Sequence, residues 1–202
     1  MFYLKIKYIC DVFFAICGII FLSPLIIIIA ILIKIKLGSP IFFIQERPGL
    51  KENIFPLIKF RTMNNKKDKV GNLLEDNKRL TVFGKWLRAT SIDEVPTLIN
   101  IIRGEMSFVG PRPLLVEYLK YYSNLERKRH LVKPGLTGLA QINGRNNISW
   151  KRKFEYDVSY VDNLSIILDL KIFFITIFKV IKREGINAKY NKPVKPFKGS
   201  ID

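Results

Sequence analysis

The chain has 202 residues, enough for one domain plus a membrane element, and nearly half of them are apolar, so a packed core is feasible. A formal net charge of +17 calls for an anionic counterpart: nucleic acid, anionic lipid or a phosphorylated substrate. Two cysteines and a single histidine, His130, speak against a zinc site.

In chain order, Val12 to Ile33 comes first, an uncharged apolar run long enough to cross a bilayer as a straight helix. Ser23-Pro24 interrupts it, and proline removes an intrahelical hydrogen bond and clashes with the preceding turn. Lys5 and Lys7 on one flank match Lys34 and Lys36 on the other, so positive charge selects no direction of insertion. Residues 1–36 therefore read as a kinked, re-entrant membrane helix bending at Ser23 and Pro24, with both ends on one side. A fully spanning helix is the competing reading. The run exceeds the apolar core of a secretory signal and no small-residue cleavage site follows it. Cys10 and Cys17 would stack on one helix face about 10 Å apart, at about 1.5 Å per residue, too far for a disulfide, and read as reduced, buried thiols. With a membrane segment present, lipid and phosphorylated substrate are favoured over nucleic acid.

Residues 41–47 and 54–61 are strand-like and Pro48-Gly49 opens the turn between them, which predicts one β-hairpin. Pro56 points to an edge or a bulge. Residues 64–79 are polar and read as a solvated loop or a lid. Helical spacing predicts short helices over 81–87 and 94–102, the second stopped by Gly104. A basic helix is predicted over 114–130, a Gly- and Pro-rich loop over 133–147 and a mixed helix over 150–161. Residues 166–181 are nearly all apolar, but Asp169, Lys171 and Lys179 suit a helix lying in the membrane interface. The tail, 187–202, contains Pro193, Pro196 and Gly199 and is expected to be loosely ordered.

Four clusters carry candidate chemistry. In Asp93-Glu94-Val95-Pro96, Asp93 reads either as a helix N-cap or as a carboxylate kept ionised by a helix dipole beside bound phosphate. Such an aspartate can attack phosphorus, and a divalent cation would separate it from the phosphate, carboxylate and phosphate oxygens being the ligands Mg²⁺ prefers. In Gly110-Pro111-Arg112-Pro113, prolines on both sides fix the backbone of Arg112, whose guanidinium can grip phosphate in bidentate fashion or simply be solvated on a turn. Lys59 and Arg61, with Arg88 further on, are either phosphate ligands or solvated cations at element ends. Gln141-Ile142-Asn143-Gly144-Arg145 could read a base or sugar, or be a surface loop.

Taken in order, the broken membrane helix, Lys59-Phe60-Arg61-Thr62-Met63, Asp93-Glu94-Val95-Pro96, Gly110-Pro111-Arg112-Pro113 and Lys133-Pro134-Gly135-Leu136-Thr137-Gly138 resemble the bacterial sugar transferases, the monotopic polyprenyl-phosphate phosphoglycosyl transferases. The resemblance covers roughly residues 1 to 185. It implies an α+β fold, mainly helical, with a kinked re-entrant helix (1–36), a catalytic cytosolic and interfacial domain with one β-hairpin and amphipathic interfacial helices (37–185), and a C-terminal tail (186–202). It implies Asp93 and Glu94 as the catalytic pair, Asp93 being the nucleophile and a Mg²⁺ ligand. Arg112, Lys59, Arg61, Arg88, Arg145 and Gln141 would bind phosphate or substrate. The partners implied are a UDP-sugar, foremost UDP-N,N′-diacetylbacillosamine, undecaprenyl phosphate and the anionic phospholipid of a bacterial inner membrane. The site would face the cytoplasm, no nucleic acid would be bound, and UMP would be released in the first membrane step of glycoconjugate assembly. The alternative from another class is a membrane-tethered basic protein that holds anionic lipid or nucleic acid without catalysis.

Overall fold

The computed structural model describes residues 2–144, 147–182 and 196–199. Helix α1 (Phe2–Leu37) runs unbroken through Pro24. Proline has no N–H for the carbonyl four residues back. Ser23 supplies the substitute: its hydroxyl donates to the Ile20 carbonyl at 2.8 Å. Only 11% of the most apolar stretch of α1 is buried within the protein. Its other face, including Phe13, Phe14, Ile20, Phe21, Ile27, Ile28 and Ile31, is exposed and needs an apolar medium. This places the chain at a membrane. Cys10 and Cys17 also lie exposed, which corrects the expectation of buried thiols; on a lipid-facing helix a thiol is simply another small apolar group.

The inner face of α1 packs on the folded body from end to end. Leu4 joins a cluster around Val109, Val132, Tyr160 and Ile172. Ala15, Ile19 and Leu22 pack with Phe55, Leu57, Leu98, Ile101 and Met106. Ile29 and Ile33 pack with Phe60 and Leu87. Both ends of the helix therefore touch the same body.

Strands β1 (Phe42–Pro48) and β2 (Ile54–Phe60) form the expected hairpin, with Phe42 opposite Phe60 and Glu46 opposite Pro56. A two-stranded sheet has only edges, so Pro56 costs no ladder bond on the paired side. The 64–79 segment contains one isolated bridge, Lys67 with Leu73, and a short helix, α2 (Asp76–Arg79), and a second bridge, Met63 with Leu80, closes its base. Helix α3 (Val82–Ala89) is capped by Thr81, whose hydroxyl accepts from the Gly84 N–H.

Three sequence expectations need correction. The 94–102 helix is a 3-10 stretch (Ile92–Thr97) followed by α4 (Leu98–Ile102), because Pro96 has no N–H and the residue before a proline avoids the α region. The 114–130 helix is three short pieces: 3-10 turns at Val116–Tyr121 and Lys128–Leu131 around α5 (Asn124–Arg127). A capping box, Ser123 with Glu126, starts α5 afresh and breaks the continuous helix. The 133–147 loop is partly regular. Strand β3 (Ser107–Val109) pairs in parallel with β4 (Gly135–Thr137), and α6 (Leu139–Ile142) follows.

Helices α7 (Trp150–Asp162) and α8 (Ile166–Lys182) match the expected spans. Exposed Ile166, Ile167, Phe174, Phe178 and Ile181 give α8 an apolar outer face. In the tail, Phe197 is buried among Tyr118, Tyr122, Trp150 and Phe154, so loose ordering does not hold there; residues 187–195 and 200–202 lie outside the described ones.

Candidate active site

Asp93 and Glu94 stand in the first turn of the 3-10 stretch, behind Ser91, which has a positive φ of 57°. That conformation is uncommon for a residue with a side chain, and such strain collects at functional sites. Ser91, not Asp93, occupies the cap position and makes no side-chain cap bond. The N-cap reading of Asp93 is thus corrected: with Pro96 inside it, the segment forms a tight 3-10 turn that begins two residues earlier.

The turn is fastened to β2. Thr97 donates its hydroxyl to the Ile58 carbonyl at 3.0 Å. Fully buried Asn100 accepts from the Ile58 N–H at 3.0 Å and donates to the Pro56 carbonyl at 2.7 Å. These side chains cover the outer edge of β2 and set its Lys59 beside the acidic pair. Lys59 Nζ lies 2.6 Å from Glu94 Oε1, and Arg112 Nη2 lies 2.9 Å from the same oxygen.

Arg112 is held by backbone on backbone. Gly110 N–H donates to the Thr137 carbonyl and Gly135 N–H to the Pro111 carbonyl. A Cβ on Gly110 would stand 2.5 Å from the Lys133 carbonyl oxygen, and one on Gly135 would stand 2.1 Å from the Gly110 nitrogen. The glycines of the two motifs are therefore required by close approach. Arg129, paired with Asp157 at 2.9 Å, donates to the Arg112 carbonyl at 2.6 Å.

The two carboxyl groups are pushed apart. Burial works against ionised Glu94, yet the charges of Arg112 and Lys59 and their hydrogen bonds hold it well below the usual carboxylate range. Burial and the negative Glu94 push Asp93 up to about 6, against the pull of Lys59, Arg88 and Arg112. Among the described residues no hydrogen bond or ion pair reaches the Asp93 carboxylate. Glu94 is an anchored anion held by Lys59 and Arg112, whereas the Asp93 carboxylate borders the cleft without such a partner among the described residues.

The remaining expected site residues divide. Arg88 is near enough for Asp93 to feel its charge, and its Nε donates to Thr62 Oγ1 at 3.0 Å. Arg61 is committed elsewhere: its guanidinium donates to the Ser39 carbonyl at 2.6 Å and to the Leu37 carbonyl, closing the C-terminal end of α1. Gln141 is buried at the cleft wall with neither amide atom bonded. Arg145 lies outside the described residues. Sequence reasoning missed Arg47, which borders the same cleft; the signal was an Arg-Pro step, Arg47-Pro48, like that of Arg112-Pro113.

One open cleft of about 1950 Å³ is walled by Asp93, Glu94, Lys59, Arg88 and Arg112 together with Phe14, Gly18 and Leu22 of α1 and Phe173, Phe174 and Ile177 of α8. A polar, cation-rich end and an apolar, membrane-facing end share one space.

Residues 2–183 match the bacterial sugar transferases. The chain belongs to the bacterial sugar transferase family. Similar proteins include the sugar transferase EpsL of Bacillus subtilis, 52% identical over 89% of each chain. The exopolysaccharide production protein ExoY of Sinorhizobium fredii is 40% identical over 87% of this chain and 85% of its own. The UDP-glucose:undecaprenyl-phosphate glucose-1-phosphate transferase of Klebsiella pneumoniae is 41% identical over 79% of this chain but 37% of its own. The family match takes in α1, the acidic pair, Arg112 and α8 together.

Proposed function

We propose that this family member transfers a sugar 1-phosphate from a UDP-sugar to undecaprenyl phosphate and releases UMP, through a phosphosugar attached to Asp93. One observation carries the reading: the unpaired Asp93 carboxylate opens, among cations, into a cleft that also has membrane-facing apolar walls. A nucleotide sugar is too polar for lipid and a polyprenyl tail too apolar for water, so a shared boundary cleft lets the phosphates of both meet.

In the first step an Asp93 oxygen bonds to the β-phosphorus, and the bond from that phosphorus to the bridging oxygen breaks, its electron pair leaving with UMP. In the second, an oxygen of undecaprenyl phosphate bonds to the same phosphorus and the Asp93–phosphorus bond breaks, restoring the carboxylate. Arg112, Lys59 and Arg88 offset charge on the phosphoryl oxygens, where positioning and electrostatics supply most of the catalysis. The donor set suits Mg²⁺: Asp93 has free carboxylate oxygens, and Mg²⁺ is commonly held by one or two carboxylates plus substrate phosphates. Held by Asp93 and the diphosphate, the ion would supply further neutralisation of the transferring group.

The packing of both ends of α1 against one body supports the re-entrant, monotopic arrangement, and the site is proposed to face the cytoplasm, the side that supplies a UDP-sugar. The short chain's motif likeness is the ground for proposing N,N′-diacetylbacillosamine as the sugar and protein glycosylation as the destination, whereas similar proteins named for a sugar carry glucose or galactose. The deciding experiment incubates purified protein with UDP-sugars, without lipid acceptor, and examines it by mass spectrometry. A phosphosugar adduct on Asp93, with exchange of labelled UMP into UDP-sugar, is expected. Full turnover by Asp93→Asn without any adduct would sink the two-step reading. A comparison of the diacetylbacillosamine, glucose and galactose nucleotides in the same assay fixes the sugar. Salt-sensitive nucleic-acid binding without UMP release would favour the non-catalytic alternative.

A further inference from the structure

We propose that Arg47, together with Arg112 and Lys59, forms a phosphate subsite that holds the nucleotide phosphate departing as UMP. This deepens the UDP-sugar reading above and rests on it. Arg47 is the penultimate residue of β1, and its Nη2 donates to Gln45 Oε1, a neutral acceptor, at 2.6 Å. Its Nε is buried with no partner, and among the described residues no carboxylate forms an ion pair with it. Arg47 is half-buried, and a partly desolvated guanidinium with no anion beside it is costly, so proteins normally pair such a charge or reserve it for a ligand.

Arg47 also borders a second, smaller cavity of about 50 Å³, walled by Lys59, Glu94, Thr97, Arg112, Pro113 and Leu136. Three cations face one carboxylate there, and that carboxylate already serves Lys59 and Arg112. The space is on the scale of a few waters, which suits one phosphoryl group rather than a sugar ring. Asp93 borders the large cleft but not this cavity. With the β-phosphorus at Asp93, the phosphate one bridging oxygen away is the group that reaches Arg47. Burial, and the positive Arg112 beside it, push the Arg47 guanidinium down to about 10, and a bound dianion would relieve that. Glu117 and Tyr118 act in the opposite sense more weakly.

The turn beyond Arg47 is held stiffly. Lys51 and Glu52 both adopt positive φ, 52° and 64°. Arg127 pairs with Glu52 at 2.5 Å, and His130 Nδ1 lies 3.1 Å from the Gly49 carbonyl oxygen. Uncommon backbone held by tertiary contacts is what a preorganised binding group needs.

The test uses full-length protein in detergent, with UMP as probe and therefore independent of the sugar. UMP affinity, the KM for UDP-sugar and the KM for undecaprenyl phosphate are measured for wild type, Arg47→Gln and Arg47→Lys. Loss of a charge-assisted hydrogen bond predicts that Arg47→Gln weakens UMP binding about 10- to 100-fold. The KM for UDP-sugar should rise in parallel while that for the lipid stays unchanged, and Arg47→Lys should recover part of the loss. Unchanged UMP affinity in a folded Arg47→Gln protein overturns the subsite. So does a rise confined to the lipid KM, which would assign Arg47 to the acceptor. If Arg47→Gln fails to fold, Arg47→Lys decides: it retains charge but not the planar fork, and unaltered UMP affinity there overturns the subsite too. Wild-type protein that neither binds nor releases UMP overturns the donor reading as well, so the two failures are distinguishable.

Discussion

Two buried ionic clusters border the same cleft and are built on opposite plans. At the start of α1, Lys7 lies 2.6 Å from Asp169 of α8 and 3.9 Å from Asp11. Asp169 also accepts from Tyr3 and Tyr160, and Asp11 accepts from Ser107 at 2.6 Å. This network closes on itself and ties α1 to α8 and β3. At the other cluster, Lys59, Arg88, Arg112 and Arg47 outnumber Asp93 and Glu94, and among the described residues the Asp93 carboxylate has no donor and the Arg47 Nε no acceptor. A network that only holds structure satisfies every partner. One that leaves charge uncompensated stores it for a ligand.

Variants that separate the two plans test the comparison. The largest effect expected is on catalysis: Asp93→Asn or Asp93→Ala should lower UMP release by about three orders of magnitude or more, as loss of a covalent nucleophile does. In the closed network, Lys7→Met leaves Asp11 and Asp169 buried without their cation. It should cost about 3–5 kcal/mol of stability, read from denaturation of the detergent-solubilised protein. If Lys7→Met unfolds no more easily than wild type, the closed network does not hold α1.

Asp93→Asn should shift stability the other way. Asp93 in the folded chain titrates at about 6, above its ordinary 3.8, so the ionised form opposes folding as pH rises through that window. Near pH 7.5 the asparagine variant should melt a few degrees higher, on the usual scale of about 2–4 °C per kcal/mol, and the difference should vanish below about pH 4. A lower melting temperature near neutral pH would show that Asp93 is structurally paired after all.

The same titration sets an acid limb near pH 6 in the single-turnover rate of UMP release, because the attacking carboxylate must be ionised. Glu94→Gln removes a like charge and should move that limb to lower pH. Lys59→Met removes an opposite charge and should move it higher. Shifts of the same sign would refute the assigned roles. The smallest effect belongs to Thr97→Val, which forfeits one hydrogen bond to β2 and should cost about 1 kcal/mol with only a modest loss of rate.

Much of the molecule was legible locally. Apolar length marked α1, Pro48-Gly49 marked the hairpin turn, and apolar runs marked α7 and α8, because each signal arises among neighbours in the chain. Local signals also misled. The 114–130 stretch has helical composition, but a capping box inside it starts a new turn. Gly135 and Gly138 looked like loop glycines, whereas their lack of a side chain lets β4 and the residue after it lie against Gly110. Arg61 borders the cleft, but two of its nitrogens bond the end of α1 and only its Nε is left without a partner among the described residues. Arg47 looked ordinary until folding placed it beside Arg112.

By itself the order of residues determined that a long apolar helix precedes a basic domain and that Asp93-Glu94 and Arg112 are the chemically loaded positions, since charge, proline placement and apolar length act within a few residues. Only the tertiary structure decided which carboxylate is held by cations and which is left without a partner among the described residues, which cations lie near it and which are consumed in packing. Those properties depend on desolvation and on partners distant in the chain, such as Lys59 with Glu94 and Lys7 with Asp169, that no local pattern records.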